Sequence, residues 1–276
     1  MIDGRMRMKK SPFIKKTEEF SKTLRIDFVK KLCVFDSLDS TNSTAKELAL
    51  AGAEEGTIVI AQTQTHGRGR FDRIWQSPEG GVYLSVILRP IVSPERTSLL
   101  SFVAALAVTT TLESYGVHVT IKWPNDVRVN GKKIAGILLE SEVKGPTVNY
   151  VVIGIGINLN VNLIRLSSDL RSRSTSMLSE LNHAIDAYEF LTRFFLQFTS
   201  FYTHFKEKHY NYIVNQWKIK TDTIGKIIRV QTPFVTLEGT ALDIDQSGFL
   251  LLKSDTGAIK KIMSGDCLYL DELHHT

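Results

Sequence analysis

VTIKWPNDVRVNGKKIAGILLE, residues 119–140, consists of two apolar-rich runs on either side of Asn130–Gly131. Asparagine and glycine suit the two positive-φ positions of a tight turn, so the stretch predicts a β-hairpin. The turn puts Lys132 and Lys133 at the start of the return strand.

Working outward, STNSTAKELALAG (40–52) predicts a capped helix in which a hydroxyl or amide accepts early backbone donors and Ala45, Leu48, Ala49 and Leu50 line one side. TIVIA (57–61) predicts a short buried strand, and GVYLSVILRP (81–90) a second one stopped by Pro90. An alanine- and leucine-rich helix is predicted from about Ser98 to Tyr115, ended by Gly116. Downstream of the hairpin, TVNYVVIGIGINLNV (147–161) gives one more strand. Residues 186–217 are helical and dense in aromatics, with Asp186 and Glu189 placed as a capping box. From Thr221 onward short strands alternate with glycine-marked turns, which predicts a small SH3-like β-barrel. The fold class expected is α+β: a mixed sheet with helices packed to one side, then a compact all-β tail. The boundaries are a basic extension over 1–34, a catalytic body over 35–220 and the barrel over 221–276.

Apolar residues make up 43% of the 276, enough for a substantial core. The net charge of +5 comes from the first 31 residues, which hold ten basic and four acidic side chains; the remainder is close to neutral. The body therefore lacks the basic excess that marks nucleic-acid or anionic-membrane partners, and the leader is expected as a solvated or lightly packed extension. No run approaches a membrane span or a secretory signal, which predicts a cytoplasmic protein. Cys33 and Cys267 have no metal-ligand spacing and read as small apolar residues.

Three polar groups fall at the ends of predicted strands, where side chains and backbone donors converge. In the first, Gln62–Arg73, Gly67 and Gly69 alternate with Arg68 and Arg70. This pattern serves a solvated turn, an RNA-contacting arm or a loop that closes over a small anion. In the second, Lys122–Asp126 faces Lys133 across the hairpin. Asn125 and Asp126 either shape the turn after Pro124 or orient a cation, and Lys133 is placed to meet negative charge. The third, GIGIN (154–158), is either a bulged strand or a flat backbone surface for a bound ring. Neither GxGxxG opening a helix nor GxxxxGK[ST] is present. With cations, glycine surfaces and no nucleophile poised beside a histidine, the pocket suits positioning and charge neutralisation, as in nucleotide activation of a carboxylate.

Taken in order, STN (40–42), GRGR (67–70), Arg73, Trp75, KWPND (122–126), KxAGIxxE (133–140) and GxGIN (154–158) resemble the landmarks of the biotin protein ligases. The resemblance implies a biotin/lipoate ligase-like catalytic domain that makes biotinyl-5'-AMP from biotin and ATP, with Mg2+, and transfers biotin to a lysine of a biotin carboxyl carrier protein. It implies that Ser40, Thr41, Gln64, Gly67, Arg68, Lys133, Gly154 and Gly156 surround biotin. Arg70, Arg73, Trp75, Asn125, Lys133 and Asn158 would gather on the adenylate, and Lys133, Arg70 and Asp126 would carry the chemistry. A homodimer is also implied. One departure is visible: Phe71–Asp72 stands where the family's arginine loop carries a second glycine. Asp72 must then point outward or pair with Arg68 or Arg73. About 35 residues precede the body, too few for the family's DNA-binding repressor module, so no sequence-specific DNA binding is expected. A lipoate or octanoate ligase is the neighbouring alternative, and an oligonucleotide-binding protein using GRGR and the terminal barrel is the alternative from another class.

Overall fold

A computed structural model of the chain describes residues 10–270; the outer parts of the predicted extension and barrel, 1–9 and 271–276, lie outside these. The elements in chain order are α1 (Pro12–Thr23), β1 (Lys31–Leu38), α2 (Thr41–Leu50), β2 (Thr57–Gln64), β3 (Val82–Leu88), α3 (Ser98–Glu113), β4 (Thr120–Lys122), β5 (Asp126–Val129), β6 (Lys132–Lys144), β7 (Thr147–Ile157), α4 (Ser168–Arg173), α5 (Met177–Leu181), α6 (Ala187–Lys206), α7 (Tyr210–Lys220), β8 (Ile227–Gln231), β9 (Thr236–Ile244), β10 (Leu250–Lys253), β11 (Ile259–Ile262) and β12 (Asp266–Tyr269).

The predicted hairpin is β5–β6, with Asn130 at φ 47° and Gly131 at φ 79°. It belongs to a seven-stranded sheet of order β1-β2-β3-β7-β6-β5-β4, antiparallel except for the β1–β2 pair. β3 is buried along its whole length between its neighbours and the helices. One face carries α3 and α6, with α7 against α3. Because α3 is wedged between sheet and helices, it is apolar nearly all round rather than striped. The aromatics of α6, Phe190, Phe194, Phe198, Tyr202 and Phe205, recur at helical spacing and are all buried.

Helices do not all lie on one side, as the sequence suggested. α2 packs on the opposite face, where Ala45 and Ala49 meet Val59, Ile87, Tyr150 and Val152 in a separate small cluster. Nor is 186–217 one helix: Lys208 takes the left-handed conformation at φ 63°, and the chain restarts as α7. Asp186 caps α6 through the Tyr188 and Glu189 amides, while the Glu189 carboxylate pairs with Arg193 instead of completing a capping box. The leader holds on more firmly than its charge implied. Thr17 and Phe20 of α1 are buried, and Phe28 packs on Phe198 and Tyr202 at 5.4 and 5.5 Å between centroids.

The predicted SH3-like barrel is corrected. Residues 227–269 form an open antiparallel sheet of order β11-β10-β9-β8-β12, in which, among the described residues, β11 pairs only with β10 and β12 only with β8. Closure needs a ladder between the two edge strands, and none forms among the described residues. Only residues 263–265 join those edges, a reach of about 14 Å against the roughly 19 Å between the outer strands of a flat five-stranded sheet. The sheet is therefore curled. Within the link, the Ser264 hydroxyl and Gly265 carbonyl are engaged by Arg70, described below, rather than by a closing strand.

Candidate active site

The floor of the site lies on the α2 face of the large sheet. Gly136 on β6 pairs with Gly156 on β7, and Gly154 pairs with Ser85 on β3. These glycines sit in regular register, so GIGIN is a flat surface and not a bulge. They are required by what lies above: a Cβ on Gly154 would overlap Asn42 Oδ1, and one on Gly156 would come within 2.5 Å of the Trp75 indole. Beside this floor, Gln64 Oε1 accepts from the backbone N–H and hydroxyl of Thr41, at 2.8 and 3.1 Å. Ser85 Oγ lies 2.8 Å from Thr41 Oγ1 and 2.6 Å from Asn42 Oδ1. Ser40, Thr41 and Asn42 are buried, though the Ser40 hydroxyl makes no capping bond to α2, contrary to the predicted cap.

The arginine segment is an ordered arm. Bridges Gln64–Ser77 and Arg68–Ile74, with the Trp75 N–H donating to the Gly67 carbonyl at 2.8 Å, fold residues 64–77 back on themselves. Gly67 is needed there, since a Cβ would press on the Trp75 carbonyl and approach Ser77 Oγ to 2.8 Å. The tip is Phe71–Asp72, with φ of 52° and 57°, a conformation that ordinarily favours glycine. Asp72 points outward and is exposed, and it pairs with neither Arg68 nor Arg73, resolving the choice posed by the sequence.

Each arm arginine is anchored differently. Arg68 Nη1 donates to Glu140 Oε2 at 3.0 Å. Arg70 donates to the Gly265 carbonyl at 3.1 Å, to Ser264 Oγ at 2.7 Å and, at 3.4 Å, to Asn125 Oδ1. Arg73 forms a two-pronged pair with Asp266. Burial pulls the Arg70 pKa below its ordinary value, partly countered by Asp126 and Asp266.

Lys133 reaches this face through a bulge. Arg128 pairs with Lys133 while Val127 pairs with Ala135, leaving Ile134 as an extra residue on β6. Under strict alternation Lys133 would point away from Gly136; the inserted residue turns it onto the same face. Its Nζ lies 2.6 Å from Asp126 Oδ1 and 5.1 Å from the Trp75 ring centroid. Asn125 Nδ2 donates to the Ile137 carbonyl at 2.6 Å, which fixes the amide beside Arg70. The Trp123–Pro124 peptide is cis, and the Trp123 ring is buried.

Thr41, Gln64, Gly67, Arg68, Arg70, Trp75, Asn125, Asp126, Lys133, Gly154 and Gly156 are thus brought together, Arg68 through Glu140 and Gly154 through Asn42 and Ser85. Two predicted residues are turned elsewhere. Arg73 is spent on Asp266, and the Asn158 amide donates to the Thr175 carbonyl at 3.0 Å, tying β7 to the α5 segment. Asn42, Ser85 and Glu140 belong to the cluster without having been assigned roles. Ser85 was signalled as a lone polar residue in an apolar strand, Asn42 and Glu140 as members of quoted motifs; Asp266 carried no signal. Among the described residues, the group with metal-ligand spacing is His204, Glu207 and His209 at the α6–α7 corner, apart from this site and richer in nitrogen than magnesium prefers.

The Biotin/lipoate A/B protein ligase family matches residues 34–158, and the Biotin protein ligase C terminal domain matches residues 223–269. The chain is 40% identical over 237 residues to the bifunctional ligase/repressor BirA of Bacillus subtilis, covering 85% of this chain and 73% of that protein. It is 35% identical over 226 residues to the biotin–[acetyl-CoA-carboxylase] ligase of Paracoccus denitrificans, covering 79% of this chain and 92% of that one. Among solved structures, the biotin protein ligase from Aquifex aeolicus in complex with biotin and ATP superposes with a TM-score of 0.74 at 28% identity, over 87% of this chain and 98% of that one. Sequence and fold agree, and the chain belongs to the biotin protein ligases of the biotin/lipoate A/B protein ligase family.

Proposed function

We propose that this chain activates biotin with ATP to biotinyl-5'-AMP and then transfers the biotinyl group to one lysine of a biotin carboxyl carrier protein. The observation that carries the residue-level reading is the meeting of Lys133 and Asp126 with Arg70 and Asn125 beside a glycine floor. A carboxylate is a poor acyl donor, and adenylation gives it a good leaving group. Its attack on the α-phosphorus releases pyrophosphate, and Lys133 is the cation we assign to the charge that builds on the phosphoryl oxygens.

On this reading Ser40, Thr41, Gln64, Gly67, Arg68, Gly154 and Gly156 hold biotin, with Lys133 between biotin and phosphate. Arg70, Asn125 and Trp75 attend the adenylate. Arg73 and Asn158 belong to the same set only if they exchange Asp266 and Thr175 for the nucleotide. In the second step the attacking lysine must be neutral, and Asp126 is assigned to orient it. Magnesium fits this donor set as a companion of the nucleotide: Asp126 is the carboxylate at hand, phosphate oxygens would complete its shell, and it would offset charge on departing pyrophosphate.

The reading includes the division into 1–34, 35–220 and 221–276, a homodimer, a cytoplasmic location and no sequence-specific DNA binding. Among the described residues no helix is long and apolar enough to cross a membrane. Sedimentation and operator gel shifts test the dimer and the DNA statement. The deciding experiment is mass spectrometry of a carrier domain incubated with the protein, ATP, magnesium and biotin. A mass gain of one biotin is expected, with Lys133→Ala slowing it by roughly a hundredfold or more. Full activity in Lys133→Ala would remove that residue from the mechanism, and a gain with lipoate instead of biotin would reassign the substrate.

A further inference from the structure

We propose that Glu140 is a positioning residue that latches the arginine arm to the sheet and thereby sets the affinity for biotin. The inference rests on the assignment of the Thr41, Gln64 and Arg68 side of the site to biotin. Glu140 stands on β6 opposite Val152, with its side chain only 17% exposed. Its Oε2 accepts from Arg68 Nη1 and from Asn42 Nδ2, both at 3.0 Å, and its Oε1 from Lys46 Nζ at 3.2 Å. One carboxylate thus joins β6, the first turn of α2 and the arm.

The Asn42 contact continues inward. With its amino group on Glu140, the Asn42 amide presents Oδ1 to the Ser85 hydroxyl, which also reaches Thr41, directly over Gly154. Removing the carboxylate would free this amide to turn. On the other side, Arg68–Glu140 is the arm's ion pair to the large sheet among the described residues, because Arg73 is held by the terminal sheet and Arg70 contacts Asn125 through a neutral amide. The Arg68 end of the pair is 42% exposed, which limits what this one ion pair adds to folding, so the effect of Glu140 on the arm is to be read in binding rather than in stability alone.

The sign of the effect discriminates. If Glu140 latches the arm, loss of its charge weakens biotin binding; if it merely occupies Arg68, loss of its charge frees a cation for the biotin acid and tightens it. Pyrophosphate release is measured without carrier, varying biotin at saturating ATP and then the reverse, for the wild type, Glu140→Gln and Lys46→Ala. Glu140→Gln is expected to raise the biotin KM roughly tenfold while kcat and the ATP KM change less than about threefold. Lys46→Ala, which cuts neither the arm nor the Asn42 contact, should stay within about twofold of wild type. A biotin KM in Glu140→Gln that is unchanged or lowered overturns the latch, as does an equal rise in Lys46→Ala, which would mean a general charge effect. A fall in kcat alone, with KM held, would show a merely structural role. Wild-type protein releasing no pyrophosphate with biotin would overturn the activity itself, a result distinguishable from all of these.

Discussion

At the tip of the arm two side chains accept a backbone that glycine would adopt freely. Left-handed φ at Asp72 costs on the order of 1 kcal/mol, and the flat ring of Phe71 takes the same conformation while lying 5.0 Å from the Arg70 guanidinium. The resemblance marked Phe71–Asp72 as a departure from the family's glycine here; what it did not show was that the turn keeps its left-handed shape regardless, with Asp72 facing solvent. Asp72→Gly is therefore expected to stabilise the protein by up to about 1 kcal/mol in urea unfolding. A loss of stability would mean that Asp72 contributes more than its exposed position indicates.

Among elements, the β5–β6 hairpin and the β7 strand were the most legible, since asparagine-glycine turns and alternating apolar residues are local signals. The bulge at Ile134 was not. A single inserted residue leaves no mark in a run such as KKIAGILLE, yet it decides which face Lys133 occupies. The stacking of Trp75 on the strands was equally hidden, because it depends on two glycines twenty residues apart meeting in register. Gly156→Ala tests that contact: the new methyl would displace the indole, so tryptophan emission should shift to the red and adenylate formation should fall. Trp123 and Trp217 are fully buried elsewhere, so the spectral change reports on Trp75. An unchanged spectrum would mean that the ring does not rest there in solution.

Over the whole molecule, the order of motifs made the α+β body and its chemistry readable, whereas long-range pairing determined what was misread. An open terminal sheet and a closed barrel share the same short strands and glycine turns, and only the absent β11–β12 ladder separates them. Acid should expose the pairing energetically. Burial pushes the Glu140 carboxyl up, but the Asn42 bond, Arg68 and Lys46 outweigh it and hold the pKa below the usual value; at Asp245, burial is likewise outweighed by Lys261 and the Phe249 and Ser247 amides. Such depressed groups add stability above the unfolded carboxylate pKa of about 4, and that stability is lost as pH falls through the lower folded values. Urea midpoints should accordingly be flat from about pH 7 to 5 and decline below about pH 4; a midpoint that rises on acidification would contradict the assignment. The clasp formed by Ser264, Gly265 and Asp266 on Arg70 and Arg73 gives the final strands a further meaning. The arginine arm is moored to a point nearly two hundred positions away along the chain, so a change in the carboxy-terminal sheet would be felt at the arm even though none of that sheet's side chains is assigned to the bond-making steps.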